Sequence, residues 1–242
     1  MVTFYSPLEQ FEILPILKIP FVFTNTSLIL SIGLLFLFVY FNIKNKFIPT
    51  RFQQIFEMIF NTTVELSYAN IGREGKHFIP LMFVVFFFIL LCNLLGMVPY
   101  SSTLTSHLII TLTLAFTIYI GFNLIGIKKH KLNFLNLLLP SGANIFLVPI
   151  LVPIELISYL SRVISLPVRL FVNMMAGHTL LKVIAGFAWS MVNVNSFLFI
   201  AHVVPLILLV ILTGLELGVA IIQAYVFTIL TCIYINDALN LH

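Results

Sequence analysis

Charge is what this sequence has least of. Asp, Glu, Lys and Arg make up 8% of its 242 residues, where a soluble domain carries about 25%. So few charges cannot cover a water-facing surface. With 61% hydrophobic residues and a mean hydropathy of +1.14, the composition excludes a soluble globule and indicates an integral membrane protein. Cysteine is nearly absent: Cys92 and Cys232 both lie in apolar runs and read as small buried residues, which excludes a disulfide framework. A basic leader is lacking too. Glu9 and Glu12 stand where a signal or transit peptide would be positive, so no cleaved segment is expected. The net charge of +4 does not imply a nucleic-acid partner, because the cations sit in short segments between apolar runs, where they set topology.

What is present is a series of apolar runs. Ile19 to Ile43 holds no charge and exceeds the roughly 20 residues that cross a bilayer as helix, so 19–43 is expected to be a first span. Lys44, Lys46 and Arg51 follow, and Pro49 breaks the helix. Over 50–68 the pattern changes: Phe52, Ile55, Phe56, Ile59, Phe60 and Val64 recur at helical spacing opposite Gln53, Gln54, Glu57, Asn61 and Glu65. That spacing predicts an amphipathic helix on the bilayer surface with an acidic polar face, either unpartnered or docking a protein. Spans are expected again over 78–98 and 107–127, and Lys128, Lys129, His130 and Lys131 follow the latter. Cationic loops follow the first and third spans and the loop between the second and third is uncharged, so the N-terminus is expected on the outer side.

Two further stretches, 144–188 and 197–240, are each about 45 residues, or about 65 Å as helix against a hydrocarbon core of about 30 Å. No polar turn divides either one. The expectation is a long, strongly tilted helical hairpin with a short loop at Asn193 to Ser196, and a small-residue packing surface at Gly214, Gly218 and Ala220. The fold class predicted is therefore all-α and polytopic, with five membrane-embedded helices and one surface helix in a single membrane domain over 1–242.

Inside the hairpin lie ionisable groups that lipid penalises by a few kcal/mol each. Glu155, Arg162 and Arg169 are seven residues apart, and two such steps turn a helix by only about 40°, so they share one seam. Glu216 and Gln223 repeat that spacing on the second arm. An ion pair of Glu155 with either arginine could set helix register, but carboxylate, imidazole, amide and guanidinium groups spread through membrane depth suit a proton path. Lys182 is expected to snorkel to an interface. His77, His107 and His130 fall in loops or at span ends. His178 and Glu216 offer too few ligands for a metal, and no metal or other cofactor is expected.

The runs SLPVRLFVNMMAGH (Ser165 to His178) and TGLELGVAIIQAYVFTILTCIYINDALNLH (Thr213 to His242) resemble subunit a of the rotary F-type ATP synthases, of mitochondrial type. So do SPLEQFEI (Ser6 to Ile13), CNLLGMVPYS (Cys92 to Ser101) and FLNLLLPSGA (Phe134 to Ala143), which extends the resemblance over nearly the whole chain. It implies a proton-translocating stator subunit of the Fo sector that couples proton flow to rotation of a ring of c subunits. Arg169 would be the essential arginine facing that ring and separating two aqueous half-channels. His178 and Glu216, with Asn173 and Gln223 nearby, would belong to the inlet half-channel; Glu155, Asp237 and Arg162 would belong to the outlet. The implied partners are the c-ring, the peripheral stalk and other Fo subunits in the lipid bilayer. The implied location is the mitochondrial inner membrane, with the N-terminus toward the intermembrane space and the C-terminus toward the matrix. ATP chemistry would fall to partner subunits, since no phosphate-cradling glycine loop is present. The alternative reading is a proton- or cation-coupled secondary transporter, which would be expected to carry an internal repeat that this chain lacks. One spacing stands apart: His178 is nine residues beyond Arg169, about 180° away on a straight helix, so the helix is distorted or His178 faces another cavity.

Overall fold

Helices form because a backbone in lipid must satisfy its own hydrogen bonds, and an uninterrupted apolar run does so only as helix. The computed structural model describes residues 11–13, 15–17, 23–42, 50–98, 103–131, 148–192 and 203–240. Among them are six α-helices: α1 (Asn25–Asn42), α2 (Arg51–Ile71), α3 (Ile79–Gly96), α4 (Leu108–His130), α5 (Val148–Val192) and α6 (Val203–Leu239). A short antiparallel strand pair, β1 (Pro15–Leu17) and β2 (Phe23–Thr24), precedes α1. The protein is an all-α polytopic membrane protein; four of the helices, α3 to α6, are long and apolar enough to cross a bilayer. The expected loop at Asn193 to Ser196, the start of the first span at 19–22, the FLNLLLPSGA motif and His202 lie outside the described residues.

Local chemistry sets the ends. The Ser27 amide donates to Thr24 Oγ1 at 3.3 Å and the Thr24 amide to Ser27 Oγ at 3.0 Å, a reciprocal cap that starts α1 at Asn25, later than the apolar run alone would place it. At the other side of the fold His130 Nε2 meets the Leu239 carbonyl at 2.9 Å, which satisfies an orphan group at the end of α6 and brings the C-termini of α4 and α6 together. Pro153 and Pro167 lie inside α5 without ending it.

The helices alternate in direction. Asn93 meets Ala220 and Met82 meets Thr231, so α3 runs antiparallel to α6. Ile29 packs with Cys92 and Leu37 with Phe83 and Phe87, so α1 is antiparallel to α3. Lys128 and Lys129 at the end of α4 and Lys76 before α3 therefore gather at one end of the bundle, together with the C-terminus of α6. Helix α3 is the centre: most of its residues are buried, whereas α5 and α6 are largely open. The central core joins Val85, Phe86, Ile89 and Leu90 of α3 with Ala115, Leu166, Leu170, Ala224 and Phe227. Both long helices consequently leave broad apolar faces open, with Ile157, Ile164, Ile211 and Ile222 among the residues at least half exposed.

Helix α2 packs with only part of its apolar sector. Phe56 meets Phe87 at 5.4 Å and Phe60 meets Phe83 at 5.6 Å between ring centroids, while Ile55 and Met58 remain exposed. The buried row continues through Gln53, Thr63 and Ser67. Its polar members are satisfied locally: Thr63 and Ser67 hydroxyls donate to the Phe60 and Thr63 carbonyls.

Candidate functional site

Along the contact between α5 and α6 the polar side chains meet in three antiparallel rungs. Arg162 Nη1 lies 3.9 Å from Asp237 Oδ2. Asn173 Nδ2 donates to Gln223 Oε1 at 3.1 Å. His178 Nε2 lies 3.7 Å from Glu216 Oε1. From Arg162 to His178 is sixteen residues, or about 24 Å along the helix, most of the depth of a bilayer core of about 30 Å.

The rungs form two clusters. Toward the C-terminal end of α5, a cavity of about 10 Å³ is lined by Asn93, Asn173, Glu216, Ala220 and Gln223 with Leu170, Met174 and Val219, room for about one water. Glu216 is only 6% exposed, and neither carboxylate oxygen has a hydrogen-bond partner. Gly177 makes room for it: a Cβ there would stand 2.5 Å from Glu216 Oε1 and 2.8 Å from its Cδ. Asn93, within the span expected over 78–98, joins this cluster although no spacing in the sequence singles it out. It is fully buried, donates through Nδ2 to the Ala220 carbonyl at 3.1 Å, and leaves Oδ1 unpaired. An amide in an otherwise apolar run was the signal that could have placed it here.

Toward the N-terminal end of α5 lies the second cluster. It contains the Arg162–Asp237 pair and Tyr159, whose hydroxyl donates to Asn123 Oδ1 of α4 at 2.6 Å. Glu155 is half-buried one turn before Tyr159. Between the clusters is the apolar layer of Leu166, Leu170, Ala224 and Phe227. Arg169 is at the level of that layer, but it is exposed and, among the described residues, has no ion-pair partner.

The displacement of His178 from Arg169 therefore has a geometric account. Helix α5 is continuous from Val148 to Val192, with no proline between Arg169 and His178, so the half-turn between them persists: His178 turns inward to α6 while Arg169 turns outward. The small-residue surface divides likewise. Ala220 is buried against Asn93, whereas a Cβ at Gly214 or Gly218 would meet nothing within 4 Å. Among the described residues no three His, Cys, Asp or Glu side chains gather as a metal site.

This fold and site define a multi-pass helical membrane protein that holds ionisable and amide groups in two clusters along one helix pair. The sequence matches the ATP synthase A chain family over residues 22–236, and the chain belongs to that family. Subunit a of the ATP synthase of Pylaiella littoralis is 51% identical over 249 residues, covering 99% of this chain and 100% of that one. The corresponding subunits of Marchantia polymorpha (48% identical, 98% of this chain and 99% of the relative) and Chondrus crispus (47% identical, 98% and 97%) match as fully. The chain is thus a proton-conducting membrane subunit of a multisubunit ATP synthase and carries no ATP chemistry itself.

Proposed function

We propose that the two clusters are the inner ends of two offset half-channels and that Arg169 separates them at the surface facing a c-ring. One observation carries this reading: polar groups collect on either side of Arg169 along α5, and a packed apolar layer lies between them. Glu216, His178, Asn173 and Gln223, joined by Asn93, serve the inlet. Glu155, Arg162 and Asp237 serve the outlet. A proton enters at the first cluster, neutralises a ring carboxylate, rides the ring through lipid and leaves by the second. Each charge that crosses releases about 2.3 kcal/mol per 100 mV, and rotation uses that energy. The exposed apolar faces of α5 and α6 suit a ring of helices beside them. The peripheral stalk and other Fo subunits complete the stator, and the site of action is the mitochondrial inner membrane, with the N-terminus toward the intermembrane space and the C-terminus toward the matrix.

The test uses water-soluble thiol reagents on membranes holding the whole complex, with Cys92 and Cys232 replaced by alanine. Cysteine at Gln223 is expected to react only with reagent on the N-terminal side, and cysteine at Glu155 only with reagent on the side of the cationic loops. Cysteine at Ala224, fully buried in the apolar layer, should react from neither. Labelling of the first two positions from one and the same side would overturn the reading.

The close approach at Gly177 yields a second expectation. In Gly177→Ala the new methyl displaces the Glu216 carboxylate from His178, and proton-driven ATP synthesis falls about tenfold at normal assembly; misplacing a reacting group by about 1 Å can cost up to about a hundredfold. Synthesis at the unsubstituted rate would mean that the carboxylate position is not critical.

A further inference from the structure

Helix α4 contributes polar groups to the outlet cluster that the roles above leave unused. Tyr159 lies four residues after Glu155 and three before Arg162, hence on their side of α5. Its hydroxyl donates to Asn123 at 2.6 Å, and its ring centroid is 5.3 Å from that of Tyr119, inclined at 52°. Tyr119 and Asn123 are four apart on α4, one face of one helix turned to one residue. Asp237 comes to the same cluster from α6 through its pairing with Arg162 at 3.9 Å. Beside them a cavity of about 10 Å³ is lined by Tyr119, Thr231 and Tyr234 and otherwise by apolar side chains.

A helix contact in lipid could be made by phenylalanine and leucine without the cost of burying hydroxyl and amide groups. The outlet also has a gap to bridge. Glu155 and Arg162 are seven residues apart, about 10 Å along the helix, where one proton hop needs heavy atoms within about 3 Å. Building on the outlet proposed above, we infer that the Tyr159 hydroxyl, held in place by Asn123 and Tyr119, relays protons between the Arg162–Asp237 pair and Glu155. The phenol oxygen accepts a proton delivered from the Asp237 side, through a water where needed. In the same step the phenol releases its own proton toward Glu155, so that no protonated phenol forms, and the hydroxyl then turns back to Asn123. One proton arrives and one leaves, and the phenol is neutral before and after. Glu155 and Arg162 share its side of α5, Asp237 comes from α6 through its pairing with Arg162, and Tyr119 packs on it from α4.

The test compares Tyr159→Phe and Tyr119→Phe with the unsubstituted complex in sealed membrane vesicles. ATP synthesis driven by an imposed pH difference is measured in light and heavy water and normalised to assembled complex. Phenylalanine keeps the ring contact and removes only the hydroxyl. Tyr159→Phe is expected to lower synthesis about tenfold, less than the roughly hundredfold of a group that itself holds the reacting proton, and to raise the light-to-heavy-water rate ratio because outlet transfer becomes limiting. Tyr119→Phe is expected to move both quantities in the same direction by a smaller factor, and it decides the matter should Tyr159→Phe fail to assemble. Unchanged rates, or slower synthesis with an unmoved isotope ratio, would overturn the relay. Either result leaves the half-channel reading standing, since that depends on Arg169 and on the sidedness of thiol labelling.

Discussion

Replacing Arg169 by alanine is expected to abolish proton-driven ATP synthesis while leaving the amount of assembled complex in the membrane near normal. The side chain is exposed and unpaired among the described residues, so its loss opens no cavity and strands no partner among them. Its charge still costs about 3 kcal/mol at mid-membrane, an energy that a carboxylate on a neighbouring subunit can offset. Removing the guanidinium removes that counter-charge. Passing ring carboxylates are then no longer held ionised between the two clusters, and a penalty of about 3 kcal/mol slows each passage by more than a hundredfold. Arg169→Lys should retain only a small fraction of the activity, because an ammonium in apolar surroundings can lose its proton whereas a guanidinium does not. The measurement is synthesis after an acid–base jump, normalised to complex content by immunoblot. Coupled synthesis at the normal rate in Arg169→Ala would remove the separator from the mechanism.

The second large effect is expected at Glu216. Glutamine has nearly the same shape and reach but cannot take up and release a proton, so Glu216→Gln should cut synthesis about a hundredfold. Assembly should hold or improve, because both oxygens of the native carboxylate are buried without a hydrogen bond and a neutral amide is less costly there. Glu216→Asp, which keeps the acid but shortens its reach toward His178, should fall between the two. The check is the rate of proton uptake on energising the vesicles, read alongside thermal stability of the complex. Equal uptake by Glu216→Gln and the native complex would place the inlet elsewhere.

Much of this site could be read from spacing. The seven-residue steps among Glu155, Arg162 and Arg169, and between Glu216 and Gln223, are properties of single helices, and they survive folding unchanged. Partners across helices could not be read in the same way. Nothing in the sequence near Asn93 says that it meets Ala220 and opens onto the Glu216 cavity, because that contact spans 127 residues and depends on how far α3 slides along α6. Tyr159 is illegible in the sequence for a related reason: an isolated tyrosine in an apolar run carries no signal until Asn123 and Tyr119 are brought to it. The amphipathic pattern of α2 was correct as a helix signal, yet the buried row runs through Gln53, Thr63 and Ser67 as well as through phenylalanines. A hydroxyl bonded to its own helix backbone can face a neighbour at little cost.

By itself the sequence determined the solvent, the helical class, the family and the seam that carries Arg169, because hydropathy and helical periodicity are local and additive along the chain. Only the tertiary structure decided that His178 turns in to Glu216 while Arg169 turns out, that Asn93 joins one cluster and Tyr159 with Asn123 the other, and that an apolar layer keeps the two apart. Those outcomes depend on the register between helices. Register is set where backbones or side chains come closest, as at Gly177 against Glu216 and Ala220 against Asn93, and close approach is a property of pairs of segments that no single segment contains.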